Sequence, residues 1–156
     1  MVRELIRGRL DEEIPFDRVI GSTFSLMATN QGDTTGRSYS YAPEDEVLLE
    51  GNLVTKNQKA NKVFSIVDEI GAPPVLVFGN SSGDLAMAEY CLQHGGKAYM
   101  LLCDDVTRDY GDPETAAEFA EDCLGRGIET ISMRDEFETI YGEDAVLTEE
   151  APDEAA

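Results

Sequence analysis

From residue 57 to residue 140 the apolar positions switch repeatedly between helical spacing and short unbroken runs. Val63, Ile66, Val67 and Ile70 form one stripe, which predicts a helix over Asn57–Ile70 stopped by Gly71. Val75–Phe78 is an apolar run after a proline pair and reads as a buried strand ending at Gly79. Asn80, Ser81, Ser82 and Gly83 make a turn-rich loop. Asp84 then stands as N-cap before Leu85, Ala88, Cys91 and Leu92 at helical spacing. Lys97–Cys103 is a second buried strand. Pro113–Leu124 is a helix with Ala116, Ala120 and Cys123 inward. Ile128–Met133 is a third strand, and Asp135–Ile140 a short closing helix. The order α-β-α-β-α-β-α predicts an α/β fold, a Rossmann-like parallel sheet with helices on both faces.

The first third reads differently. Val2, Leu5, Ile6 and Leu10 lie roughly on one face of a helix-like stretch, broken by Pro15. Val19-Ile20-Gly21-Ser22 looks like a short strand. Residues 23–53 form a β-rich, antiparallel excursion, with Tyr39, Tyr41 and Val47-Leu48-Leu49 as strand material between Gly32, Gly36 and Pro43. Residues 143–156 carry six acidic side chains and no basic one, and read as an acidic disordered tail after a domain spanning 1–142.

Charge narrows the function. A formal net charge of -20 argues against general binding to nucleic acid or to anionic membrane surfaces. No apolar run approaches a membrane span and no signal-peptide core begins the chain. The three cysteines, Cys91, Cys103 and Cys123, form no CxxC, and His94 has no ligand partner at useful spacing. They read as small core residues in a reduced, cytoplasmic protein rather than as a zinc site or disulfide framework.

Against this acidity, Lys56, Lys59 and Lys62 are three of only four lysines, and all lie at or near the start of the 57–70 helix. Cations there oppose the helix dipole at a cost of about a few tenths of a kcal/mol each. A local rule broken in one place hints at a site. The Asn80–Asp84 loop joins a strand's carboxyl end to a helix N-terminus, the arrangement by which open α/β sheets receive anionic ligands. The loop is not GxGxxG, and no P-loop occurs, so a nucleotide-binding Rossmann domain is the weaker reading.

The lysines followed by Phe78-Gly79-Asn80-Ser81-Ser82-Gly83-Asp84 resemble motifs III and IV of the haloacid dehalogenase (HAD) superfamily, in its phosphoserine-phosphatase-like branch. Asp104-Asp105 with Arg108 and Tyr110, then Ser132-Met133, resemble that branch's downstream residues. The resemblance implies an incomplete HAD-like sheet and hydrolysis of a phosphomonoester with Mg2+. It assigns Lys62 the phosphate-binding, catalytic lysine role, with Lys59 as the alternative, and Asn80 and Asp84 the metal-ligand roles. Ser82 stands where the branch usually has Asp, and Cys103 where it often has His.

The D-x-D-x-[TV] nucleophile motif of that family is absent. The chain therefore resembles the C-terminal portion of a longer HAD protein, starting just past motif II. Such a portion is expected to be inactive alone, with the 75–78 strand as an exposed apolar edge. Three readings follow: a phosphatase portion completed by a missing N-terminal segment and acting on a phosphorylated small molecule; a non-catalytic phosphate and magnesium binding module; or a protein-interaction domain that self-associates through the sheet edge.

Overall fold

The computed structural model describes residues 14–15, 18–108 and 110–139. The helix expected over Val2–Leu10 and the acidic tail 143–156 lie outside the described residues. The elements run β1 (Thr23–Ala28), β2 (Val47–Thr55), α1 (Ala60–Glu69), β3 (Leu76–Gly79), α2 (Leu85–Gln93), β4 (Lys97–Leu102), α3 (Pro113–Gly125), β5 (Glu129–Ser132) and α4 (Met133–Glu136). Helix and strand alternate from α1 onward, as the apolar spacing predicts. No helix among the described residues is long and apolar enough to cross a membrane.

Strands β3, β4 and β5 make a parallel sheet in that order. Val77 pairs with Ala98, and Gly79 with Met100, so these residues share one face. On that face Val77, Ala98 and Met100 cluster with Leu85, Ala88 and Cys91 of α2 and with Cys123 of α3. Met100, Cys91 and Cys123 are the largest fully buried side chains, so two of the three cysteines are core residues; Cys103 is half-buried, and all three are free.

The expectation of helices on both faces is not met among the described residues. Leu76 and Phe78 point to the other side, 49% and 61% exposed, and Phe78 stacks on Tyr99 with ring centroids 5.5 Å apart. The reason is handedness. Each crossover moves one strand over in the same direction, and right-handed connections then put α2 and α3 on one side. Strand β3 is a sheet edge, pairing among the described residues only with β4.

Strands β1 and β2 form a separate antiparallel ribbon, which is the excursion expected over 23–53. Tyr39 and Tyr41 are not in strands. They lie in the loop between β1 and β2, where their hydroxyls donate to Asp45 Oδ2 (2.9 Å) and to the Asp45 carbonyl (2.7 Å). Val19–Ser22 is not a strand either, since among the described residues no strand runs beside it to share a ladder. The closing helix begins at Met133, not Asp135, because Ser132 Oγ accepts the Asp135 N–H (3.1 Å) and caps it there.

Candidate functional site

Helix α1 starts at Ala60 rather than Asn57 because Lys59 takes φ +54°, outside the helical region. A left-handed non-glycine residue costs on the order of 1–3 kcal/mol unless its surroundings hold it. Here the Lys59 N–H donates to the Gly83 carbonyl at 3.1 Å, which fastens the start of α1 to the loop after β3. Lys62, in the first turn of α1, is thereby brought over that loop.

The loop returns a carboxylate to meet it. Lys62 Nζ forms an ion pair with Asp84 Oδ1. Asp84 Oδ2 accepts the Asn80 N–H and the Ser81 hydroxyl, each at 3.2 Å. Asp84 is only 5% exposed. Burial alone would raise its carboxyl pKa; the hydrogen bonds from Lys62, Asn80 and Ser81 and the lysine charge outweigh burial and hold it below the ordinary 3.8. Asp84 occupies the N-cap position of α2, yet its side chain caps nothing. The sequence-based role of helix cap is corrected: the carboxylate turns back to the lysine, a stronger partner than the helix N–H groups.

Gly79 makes room for this. A Cβ there would stand 2.4 Å from Asp84 Cβ and 2.8 Å from both Asp84 Cγ and Met100 Sδ. The closing glycine of β3 therefore serves the position of Asp84 as well as the end of the strand. Ser81 was not singled out by spacing. Its signal was local: a serine three residues before an aspartate, in a turn, is placed to donate to it.

The four sequence-predicted residues are distributed unequally. Lys62 and Asp84 touch. Asn80 contributes its backbone N–H to Asp84, while its exposed side-chain amide makes no hydrogen bond among the described residues. The exposed Lys59 side chain takes no part in the ion pair. Below the loop, Asp104 accepts Ser132 Oγ (2.6 Å) and the Arg134 N–H (3.1 Å), and Asp105 accepts from Thr107 and pairs with Arg108 Nε (2.8 Å). Asp104 thereby ties the carboxyl ends of β4 and β5 together, while the Asp105 contacts stay within the loop after β4. Tyr110 is 93% exposed. A cleft of about 490 Å³ opens beside Asn80 and Ser82, walled by Cys103, Asp112 and Phe119; neither Lys62 nor Asp84 lines it.

For a metal, the arrangement offers oxygen donors only: one carboxylate and one free amide carbonyl. That donor chemistry suits a hard cation. Among the described residues no three His, Cys, Asp or Glu side chains gather to hold an ion by themselves. A magnesium ion at Asn80 and Asp84 would take its remaining oxygens from water and from a phosphate. The chain matches no protein-family model and no curated protein.

Proposed function

We propose that this chain binds the phosphoryl group of a small molecule at the carboxyl end of β3, as the motif III and IV part of a HAD-type phosphatase. The observation that carries the reading is the ion pair between Lys62, at the start of α1, and the buried Asp84 after β3. In this reading the Rossmann-like sheet is a HAD-like one. Lys62 swings from Asp84 to the phosphoryl oxygens, with Lys59 beside it as a second, solvent-exposed cation. The Asn80 side chain and the released Asp84 carboxylate hold Mg2+, which supplies charge neutralisation at the phosphoryl oxygens when bound. No D-x-D-x-[TV] aspartate stands in these 156 residues to attack phosphorus, so the chain by itself binds without turning over.

Thermal melts with inorganic phosphate, with and without Mg2+, test this. Saturating ligand at about 100 times its dissociation constant stabilises by about 2.7 kcal/mol, a rise of several degrees in a chain of this size. The rise is expected to vanish in Lys62→Ala. No rise in the wild type sinks the binding reading. Robust phosphatase turnover abolished by Lys62→Ala sinks the claim of inactivity.

A second reading rests on β3. Its apolar outer positions, with Val75 82% exposed just before it, lie on a free sheet edge. An interaction module would add a strand there, from a second copy or another chain. Concentration-dependent mass in sedimentation, lost in Phe78→Lys, is its expected mark.

A further inference from the structure

Strands β1 and β2 pack chiefly on each other, and no third strand extends them among the described residues. A two-stranded ribbon by itself is marginal in water and becomes stable when an apolar face is covered. Here such a face lies open. Phe24 stands opposite Leu53, Leu26 opposite Leu49, and Ala28 opposite Val47. Directly opposed residues share a face, and every second residue of β1 returns to it. Phe24, Leu26, Val47, Leu49 and Leu53 are between 45% and 72% exposed. The same region lacks charge, in a chain of which 28% is charged. No charged residue occurs from Val19 to Gly32, and Glu50 is the only one in β2, at the register shift between Leu49 and Leu53.

We infer that a second copy of this chain covers this face, ribbon stacked on ribbon about a two-fold axis. Area, shape and charge each favour a copy. Each of the five side chains leaves about 100 Å² in water, so a stacked pair removes about 1,000 Å², the size at which specific interfaces begin. A two-fold axis through the central Leu26–Leu49 row sets the bulky Phe24–Leu53 end of one ribbon over the small Ala28–Val47 end of the other. Two copies of net charge -20 repel over most of their surface and approach most easily where charge is missing. A basic partner drawn to this acidic chain would instead seek its carboxylates.

Pairing reaches the candidate site through the base of the ribbon. Strand β2 runs on into Lys56, and the Asn57 N–H donates to Ser22 Oγ, just before β1, at 3.0 Å. A stacked ribbon therefore steadies the segment that leads to Lys59 in both copies. The inference does not depend on what Lys62 binds, and it uses none of the residues of β3.

Sedimentation of the full chain over a range of concentrations tests it, with hydrogen exchange on the same samples. The mass is expected to double with concentration. The dimer is expected to tighten about tenfold between about 0.1 M and about 1 M salt, as the screening length falls from about 10 Å to about 3 Å. Leu26→Glu/Leu49→Glu is expected to stay monomeric, and Phe78→Lys to dimerise like the wild type. In the wild type itself, amides of residues 24–28 and 47–53 are expected to exchange about tenfold more slowly as the mass doubles, with the β3–β5 core unchanged. That wild-type measurement decides the matter even where the double variant fails to fold. A mass that remains that of a monomer overturns the inference, as does a dimer that survives Leu26→Glu/Leu49→Glu or is lost in Phe78→Lys. Full protection of those amides already in the monomer also overturns it, because another part of the same chain then covers the face.

Discussion

Asp45 and Asp84 are the two buried carboxylates among the described residues, and their surroundings differ in kind. Asp45 accepts from the N–H of Ala42 (2.8 Å), the N–H and side chain of Asn30 (3.1 and 2.9 Å) and the Tyr39 hydroxyl (2.9 Å). All of these donors are neutral, and all belong to the one loop between β1 and β2. Asp84 accepts two neutral donors from its own loop, and one cation from a separate helix. Both carboxyls are held below the ordinary 3.8, Asp45 chiefly by the Ala42 N–H, Asp84 by bonds led by Lys62 that overcome burial. The difference teaches how to tell a fastener from a site. Neutral donors locked in a closed loop gain nothing by leaving. A lysine reaching across from another element can exchange its carboxylate for a phosphate, because a cation binds both.

The strongest way to break the comparison is to remove each carboxylate. Asp84→Ala leaves Lys62 half-buried without its partner and strands the Ser81 and Asn80 donors. A loss of about 2–3 kcal/mol is expected, read as a lower urea midpoint with an unchanged slope. Because α1, β3 and α2 all meet there, the loss should be global. Gly79→Ala comes next. Its Cβ collides with Asp84 and Met100, and overpacking of this kind costs about 1–3 kcal/mol. It should also abolish any phosphate-induced rise in melting temperature, by displacing Asp84 while leaving both charged side chains in the sequence.

The parallel half of the fold was legible because its signals were local. Apolar runs at Leu76–Phe78 and at Ala98–Leu102, and Gly71 at φ +73° accepting the end of α1, each carry their own reason. The pairing of Lys62 with Asp84 was legible only through motif resemblance, since no periodicity links residues 22 positions apart. What was not legible depended on neighbours. Val19–Ser22 has strand composition, but a strand needs a ladder, and none runs beside it among the described residues. Tyr39 and Tyr41 have β propensity, but a buried aspartate four to six residues later claims both hydroxyls. Asp84 has the right residue type for a cap, but a lysine outbids the helix. Burial on one face alone was hidden too, because both crossovers step in the same direction and only the assembled sheet reveals it.

Asp45→Asn gives a smaller and more confined effect. The amide keeps one acceptor oxygen but cannot receive all four donors, and its own N–H2 faces other donors. Hydrogen exchange should rise in residues 28–47, with the β3–β5 core and the phosphate response untouched. If the phosphate response falls as well, the two regions are coupled and the distinction between fastener and site fails.

Acid gives the finest discrimination. A carboxyl whose folded pKa lies below its unfolded value near 3.8 contributes stability that is complete above 3.8 and is lost as pH falls through the folded pKa. Wild-type stability should therefore decline on acidification once the pH falls below the unfolded value near 3.8 and on through the lower folded pKa. Lys62→Met removes the leading interaction that lowers the Asp84 pKa and leaves the upward push of burial less opposed. The folded pKa of Asp84 then rises, its stabilising contribution at neutral pH shrinks, and less remains to be lost in acid. In urea melts the gap between wild type and Lys62→Met should be widest near neutral pH and close as the pH falls. Asp45→Asn should leave that gap intact, since its carboxylate is held by neutral donors only. A gap between wild type and Lys62→Met that is independent of pH would mean that Lys62 contributes packing rather than charge, and that Asp84 is a fastener like Asp45.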